Sequence, residues 1–368
     1  MNILYVTTVS STMSFFTQHV KMLLEQGHKV DFACSVTSSI LSQFLDSGCR
    51  VFDLALSRSP LDRANFSGYK KLRSLLNSGK YDVVHVHTPV AAALTRMASI
   101  NLSNVKVIYT AHGFHFYSGA PWLNWVLYYP IEKWLAKYTD VLITINKEDY
   151  ERACKHFRPG RVEYVPGVGL DVKHYSQLNV DYKRKRKELG LSESEIVLVS
   201  TGELNRNKNH ETVIRALQTL KNRDVKYLIC GDGPLRGELQ SLVRNLGLEN
   251  QVMLLGFRSD IKEINYIADI FLLPSFREGL SVALMEAMAS GLPVICSNIR
   301  GNRDLIKDGV GGYLVDPKDV KGFSKLIQKL IDDVHLREAM KEENMAKIVN
   351  FDITAVLERM KDIYGNIS

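Results

Sequence analysis

Cysteine is scarce in this sequence of 368 residues. The five thiols, Cys34, Cys49, Cys154, Cys230 and Cys296, are odd in number and scattered, and no C-x-x-C occurs. A disulfide framework or a cysteine-bound zinc is therefore not expected, and a reducing, cytoplasmic setting fits best. Long apolar runs are missing too. No stretch approaches about 18 uninterrupted apolar residues, so no membrane-spanning helix is expected. The opening MNILYVTTV reads as a strand, without the charged leader, apolar run and small-residue cleavage site of a signal peptide. Acidic residues are in deficit, with 47 Lys and Arg against 40 Asp and Glu, a formal net charge of +7. Residues 1–180 hold 19 basic against 13 acidic side chains, and the remainder holds 28 against 27. The excess in the first half points to an anionic partner there, a membrane surface or a phosphate-bearing substrate. Basic residues form only one run, KRKRK at 183–187. It reads as a solvated linker, and a nucleic-acid partner is not expected.

What is present is ordinary globular composition, 45% hydrophobic and 24% charged, on a chain long enough for two cores. Short β-rich runs at 2–9, 29–35, 50–56, 82–88, 106–112, 141–146 and 161–165 alternate with amphipathic stretches. One such stretch is 14–26, where Phe15, Phe16, Val20, Leu23 and Leu24 fall near one face. The polar segment 168–190 interrupts the pattern. It restarts with runs at 196–201, 226–230, 252–256, 270–274, 293–297 and 312–315. Such alternation predicts an α/β chain with two doubly wound parallel sheets. The expected domains are 1–170 and 191–350, with a linker at 171–190 and a last helix in 351–368. Ligands of such sheets bind beyond the carboxyl ends of the strands. Residues that follow strands are therefore the candidates.

The densest constellation is PSFREGLSVALME at 274–286, between the strand IFLLP and a helix. Unpaired backbone N–H groups at Gly279, Leu280 and Ser281, aided by the helix dipole, suit a phosphate or a sugar edge. Glu278 and Glu286, with seven residues between them, are acceptors for sugar and ribose hydroxyls. Gly202-Glu203-Leu204 leads to Lys208 after one strand, Gly231-Asp232-Gly233 follows a second, and Gly256-Phe257-Arg258 a third.

In order and spacing these pieces resemble family 4 retaining glycosyltransferases, which have the GT-B fold of two Rossmann-like domains facing a cleft. The first half resembles them through YTAHG at 109–113. The stretch HGFHFYSGAPWLNWVLYYPIEKWLAKYTD resembles bacterial capsule and exopolysaccharide enzymes. The resemblance implies roles. Glu286 holds the donor ribose, Glu278 contacts the transferred sugar, and Gly279, Leu280 and Ser281 lend N–H groups. Lys208 neutralises the leaving diphosphate, Gly202 opens the diphosphate loop, and Gly231 belongs to the donor-binding residues. Phe257 and Arg258 place the base, and His112 reaches the sugar or phosphate from the first domain. It also implies a UDP-sugar donor, a lipid-linked saccharide acceptor, front-face retaining attack and a terminal helix returning to the first domain. Two residues depart from the pattern. Glu203 stands where the family has arginine, so either Arg206 supplies the missing charge or Lys208 alone does. The first loop lacks paired glycines, leaving Ser10, Ser11 and Thr12 as the candidate phosphate contacts. The D-x-D metal motif of the other major glycosyltransferase fold occurs nowhere, so no metal or other cofactor is expected.

All three tryptophans, Trp122, Trp125 and Trp134, lie within 121–138 with Lys133 and Lys137. Aromatics beside lysines suit a membrane interface. Trp122, Trp125, Lys133 and Lys137 are thus candidates for peripheral contact at the inner face of the cell membrane. Two other readings share the fold. A nucleotide-sugar epimerase needs no acceptor, and a non-catalytic nucleotide-sugar-binding subunit has no need of Glu278, Glu286 and Lys208.

Overall fold

Among the described residues, thirteen strands make two sheets in which every pairing is parallel. The computed structural model describes residues 1–40, 42–176, 180–220 and 224–367. The first compact unit, Met1–Gly169 with Thr354–Ser368, contains β1 (Asn2–Val9), β2 (Lys29–Ser35), β3 (Val51–Asp53), β4 (Val83–His87), β5 (Lys106–Ala111), β6 (Val141–Thr144) and β7 (Arg161–Tyr164) in the order β3-β2-β1-β4-β5-β6-β7. Period-two alternation sends Ile3 and Tyr5 into the core on one face, and Leu4 and Val6 into that on the other. Covering both faces is why these strands read as nearly unbroken apolar runs. One cover is the helix Ile353–Gly365, which buries Val356, Met360, Ile363 and Tyr364. The Tyr364 hydroxyl donates to the Tyr5 hydroxyl at 2.9 Å.

The second unit, Leu170–Ile353, contains β8 (Ile196–Thr201), β9 (Val225–Cys230), β10 (Val252–Gly256), β11 (Ile270–Leu273), β12 (Val294–Ser297) and β13 (Gly312–Val315) in the order β10-β9-β8-β11-β12-β13. Strand order reverses at β1/β4 in the first unit and at β8/β11 in the second. Those are the switch points where a doubly wound sheet opens a crevice.

Three local expectations are corrected. The α-helix expected from residue 14 begins at Thr17, behind a 3₁₀ segment Ser10–Phe16, and Phe15 is exposed. Thr12, Ser14 and Thr17 bond through their hydroxyls to the carbonyls of Val9, Ser11 and Ser14. These local bonds compete with α-helical pairing. The expected strand 50–56 stops at Asp53, because Leu56 N–H turns back to the carbonyl of Leu54 (2.8 Å). Nor is the basic run 183–187 solvated throughout. It lies in the helix Tyr182–Glu188, and Lys185 and Arg186 are buried. The Arg186 guanidinium donates to the carbonyls of Ser192 (2.7 Å), Glu195 (2.6 Å) and Ile267 (3.2 Å). Lys185 pairs with Asp260, Glu188 and Glu263. A like-charge run reads as a wet surface only until its partners, distant in sequence, are known.

Candidate active site

In the second unit the chemistry gathers beyond β8 and β11. The loop after β8 delivers Lys208, whose Nζ lies 2.7 Å from Oε1 of Glu278 on the loop after β11. Asparagines lock the two loops together. Phe276 N–H donates to the Asn207 carbonyl (2.8 Å), Asn207 Nδ2 to the Arg277 carbonyl (3.0 Å), and Asn209 Nδ2 to the Pro274 carbonyl (3.0 Å). Neighbouring turns close in backbone to backbone. A Cβ on Gly231, after β9, would lie 1.9 Å from the carbonyl oxygen of Gly202, and one on Gly301, after β12, would lie 2.2 Å from that of Gly279. Only glycine permits such packing. The helix Val282–Ala289 then starts at Ser281, whose Oγ accepts from Leu284 N–H. Gly279, Leu280 and Ser281 thus sit at a helix N-terminus beside an ammonium and a carboxylate, a setting suited to an anion and a polar ligand edge.

Glu286 lies on that helix, and its Oε1 accepts a 2.6 Å bond from the Tyr175 hydroxyl. Burial pushes its carboxyl above the ordinary 4.5, and the Tyr175 bond pulls it back in part. Tyr175 was not singled out in the sequence, where nothing links two residues 111 positions apart.

The remaining candidates of this unit divide. Phe257 is 84% exposed beyond β10. Arg258 is already engaged. Its Nε meets Asp260 at 2.8 Å and its Nη2 meets Glu188 at 3.1 Å. Burial opposes ionisation of Asp260, but Arg258 and Lys185 overcome it and hold the carboxyl down at about 2. The Arg258 guanidinium is thus tied into an ion-pair network. Arg206 is exposed and lines a hollow of about 780 Å³ with His210, Glu211 and Arg215. Lys208 and Glu278 do not line that hollow. Glu203 is also exposed and accepts from Asn205 Nδ2 at 2.8 Å.

In the first unit, His112 follows β5 and its Nε2 lies 3.1 Å from Nδ1 of His87 at the end of β4. His87 stacks on Phe16 at 4.0 Å. Burial pushes the His112 imidazole down to about 4 and lowers His19, His85 and His87 as well, so these rings are neutral at pH 7. The H-V-H alternation in β4 carried the signal for His85 and His87, since period two puts both on one face. In the first loop two of the three candidate hydroxyls are already engaged. Ser10 Oγ is buried and takes up Thr37 N–H, Ser38 N–H and the Ser38 hydroxyl, and Thr12 Oγ1 is bound to the Val9 carbonyl. Ser11 alone is exposed.

The helix Trp122–Leu135 presents Trp122, Leu123, Val126, Leu127, Ile131 and Trp134 as exposed apolar side chains. Their i, i+4 spacing makes one face. Trp125 does not belong to it. It packs on Phe116 and Tyr129, with the Arg152 guanidinium 4.6 Å above its ring. Lys133 and Lys137 are exposed. Among the described residues no helix is long and apolar enough to cross a membrane, and no cluster of three His, Cys, Asp or Glu side chains is placed to hold a metal.

Two doubly wound parallel units, with an acid-base pair and a helix N-terminus at the second switch point, define the class of GT-B glycosyltransferases. Residues 15–168 match the profile of Glycosyltransferase Family 4, and residues 181–347 that of Glycosyl transferases group 1. The chain is 38% identical over 320 residues to a Bacillus subtilis (strain 168) protein, EpsD, named as a glycosyltransferase, covering 85% of this chain and 84% of that one. It is 31% identical over 356 residues to the UDP-Gal:alpha-D-GlcNAc-diphosphoundecaprenol alpha-1,3-galactosyltransferase of Escherichia coli, covering 94% and 91% of the two chains. In fold it matches Anabaena Alr3699/HepE, solved with UDP and glucose, at a TM-score of 0.83 and 18% identity over 99% of each chain. The chain belongs to glycosyltransferase family 4, with the GT-B fold, and it is an enzyme that transfers a glycosyl group.

Proposed function

We propose that the enzyme takes a hexose or N-acetylhexosamine from a UDP-sugar and passes it, with retention, to a lipid-linked saccharide in surface polysaccharide synthesis. The carrying observation is the Lys208–Glu278 pair beside the helix N-terminus at Ser281, with Glu286 further along the same helix. The donor's diphosphate takes Lys208 and the N–H groups of Gly279, Leu280 and Ser281, displacing Glu278 from the ammonium. The freed carboxylate then accepts hydroxyls of the transferred sugar. As the glycosidic bond breaks, charge gathers on the departing phosphate oxygen, and Lys208 is fixed where that charge develops. Glu286 accepts the ribose hydroxyls, the backbone at Phe257 and Arg258 carries the base, and His112 contacts the donor. In this retaining scheme the leaving phosphate receives the acceptor's proton. The Escherichia coli relative, whose name specifies a UDP-sugar and a diphosphoundecaprenol-linked acceptor, supports both substrate classes.

The exposed face of the helix Trp122–Leu135 supports peripheral contact with the membrane that holds such an acceptor. A helix apolar on its outer side calls for a cover, and flanking Lys133 and Lys137 suit anionic headgroups.

The test is a thermal-shift panel of UDP-, GDP-, ADP- and dTDP-sugars, followed by transfer to a diphosphoundecaprenol-linked saccharide with the product anomer read by NMR. Stabilisation by one UDP-sugar and an α-product from an α-donor are expected. No shift with any nucleotide sugar in folded protein overturns the donor assignment, and an inverted product overturns retention. UDP-sugar conversion without an acceptor favours the epimerase reading.

A further inference from the structure

We propose that Tyr175 is a positioning residue for donor recognition, orienting the carboxylate of Glu286 so that its remaining lone pairs face the ribose hydroxyls. The proposal rests on the reading of Glu286 as the ribose acceptor. The contact itself is a 2.6 Å bond from the Tyr175 hydroxyl to Oε1. That length belongs to charge-assisted O–H···O⁻ bonds, which are about twice as strong as neutral ones.

The geometry explains why such a partner is needed. Glu286 sits inside the helix Val282–Ala289, flanked by buried Met285 and Ala287. A largely buried carboxylate has lost most of its water, and without a donor it would favour the neutral acid. A protonated acid has fewer lone pairs to offer a diol. A carboxylate has about four acceptor sites. Tyr175 fills one and leaves the others for a ligand. The phenol serves only as donor here, because burial and the Glu286 charge raise its own ionisation far above neutral pH.

Tyr175 is held where it can do this. Its helix, Val172–Ser176, follows a short parallel bridge in which Leu170 N–H donates to the Phe351 carbonyl (3.1 Å) and Ile353 N–H to the Leu170 carbonyl (2.8 Å). Val172 N–H donates to Oδ2 of Asp352 at 3.3 Å. The phenol therefore reaches Glu286 from an anchored backbone, and little rotamer freedom remains to be lost when ligand arrives.

The experiment compares wild type, Tyr175→Phe, Glu286→Gln and the double variant by calorimetric titration with UDP and 3′-deoxy-UDP, together with steady-state kinetics on the UDP-sugar. Tyr175→Phe keeps the ring and removes only the donor. It is expected to weaken UDP about tenfold, the scale of one hydrogen bond to a charged group. KM for the donor should rise alike, kcat should stay within about twofold, and preference for UDP over 3′-deoxy-UDP should shrink. The double variant should bind no worse than Glu286→Gln, because residues acting through one contact are not additive. A structural role for Tyr175 would instead give additive losses, equal for UDP and its deoxy analogue, and that result overturns the proposal. Tyr175→Leu, run through the same cycle, serves if the phenylalanine variant unfolds early. If Glu286→Gln leaves UDP affinity unchanged, the ribose reading itself fails. If Glu286→Gln weakens UDP while Tyr175→Phe does not, only the positioning role fails.

Discussion

Lys208 and Glu278, seventy positions apart, close a 2.7 Å ion pair across the loops that follow β8 and β11. Both side chains are shielded, at 20% and 13% exposure, so neither charge is left alone in a poorly solvated place. In the proposed function a donor exchanges one partner of this pair for another. Lys208→Ala should lower kcat by roughly 100- to 1,000-fold, the range for removing one fixed group that stabilises developing charge. Glu278→Gln should keep UDP binding, since Lys208 is then released to the diphosphate, while transfer falls. Titration and initial rates on the same preparations decide it. Lost UDP affinity in Glu278→Gln would contradict the exchange.

With Glu286 as the proposed ribose acceptor, donor binding should be sensitive to acid. Its carboxyl titrates above the ordinary 4.5 because burial outweighs the Tyr175 bond. Ribose hydroxyls need the ionised form, so UDP affinity should fall with pH through a window lying above the usual carboxylate range. Glu286→Gln has nothing to titrate there. The ratio of the two dissociation constants cancels the titration of UDP itself. That ratio should be steep on the acid side and level near neutrality. A ratio flat from pH 5 to pH 8 would show that the Glu286 charge takes no part.

Most of the architecture was legible because it rests on local pattern. β1 and β8 are buried on both faces and so read as apolar runs, and the motif at 274–286 announces its own turn and helix start. Charged and hydroxyl groups were legible only as candidates. Whether Arg258 faces a ligand or Asp260, and whether Ser10 faces a phosphate or the backbone at Thr37 and Ser38, depends on partners that chain spacing does not reveal. Trp125 and Trp122 are three residues apart on one helix, yet one packs inward and the other is 70% exposed. Tyr175 carries no motif at all. Its contact with Glu286 appears only once two helices meet.

The buried histidines give the first unit an acid limit. His112 ionises at about 4 instead of 6.5, and His19, His85 and His87 are lowered too, in each case mainly by burial. Below about pH 6.5 the unfolded chain takes up protons that the folded unit refuses. Stability is therefore fully present above that pH and declines as pH falls toward 4. His112 alone contributes a slope approaching about 1.4 kcal/mol per pH unit in that window. Urea unfolding from pH 7 to pH 4.5 should show the decline, and His112→Gln should make it shallower. An unchanged slope would mean that His112 is charged in the folded unit.

Arg96 and Glu132 form a bidentate pair at 2.9 Å for both bonds, with the guanidinium almost fully buried over the Tyr109 ring at 4.3 Å. Glu132 lies on the inner side of the helix Trp122–Leu135, so the pair ties that helix to its unit. Removing one partner leaves an uncompensated buried charge, which costs about 3–5 kcal/mol. Glu132→Gln should lower the unfolding midpoint accordingly. Replacing both partners, Arg96→Met with Glu132→Leu, should recover much of the loss, because the burden is the orphaned charge and not the missing attraction. A double variant as unstable as the single one would refute that account.

The outer side of the same helix should set membrane affinity. Trp122 and Trp134 stand near its two ends with Leu123, Val126, Leu127 and Ile131 between them, all exposed. Partition into an interface scales with buried apolar area and with attraction of basic groups to anionic lipid. Trp122→Ser with Trp134→Ser should lower co-sedimentation with vesicles containing anionic lipid about tenfold or more, since each indole offers about 150–250 Å² of surface. Trp125→Phe should not lower it, because that ring faces the Arg152 guanidinium and the core. Transfer to a water-soluble acceptor should be unchanged in the double variant, and transfer to a lipid-linked acceptor in vesicles should fall with binding. A wild-type enzyme that ignores vesicles, or a double variant that binds them as well as wild type, would leave this face needing a protein partner instead.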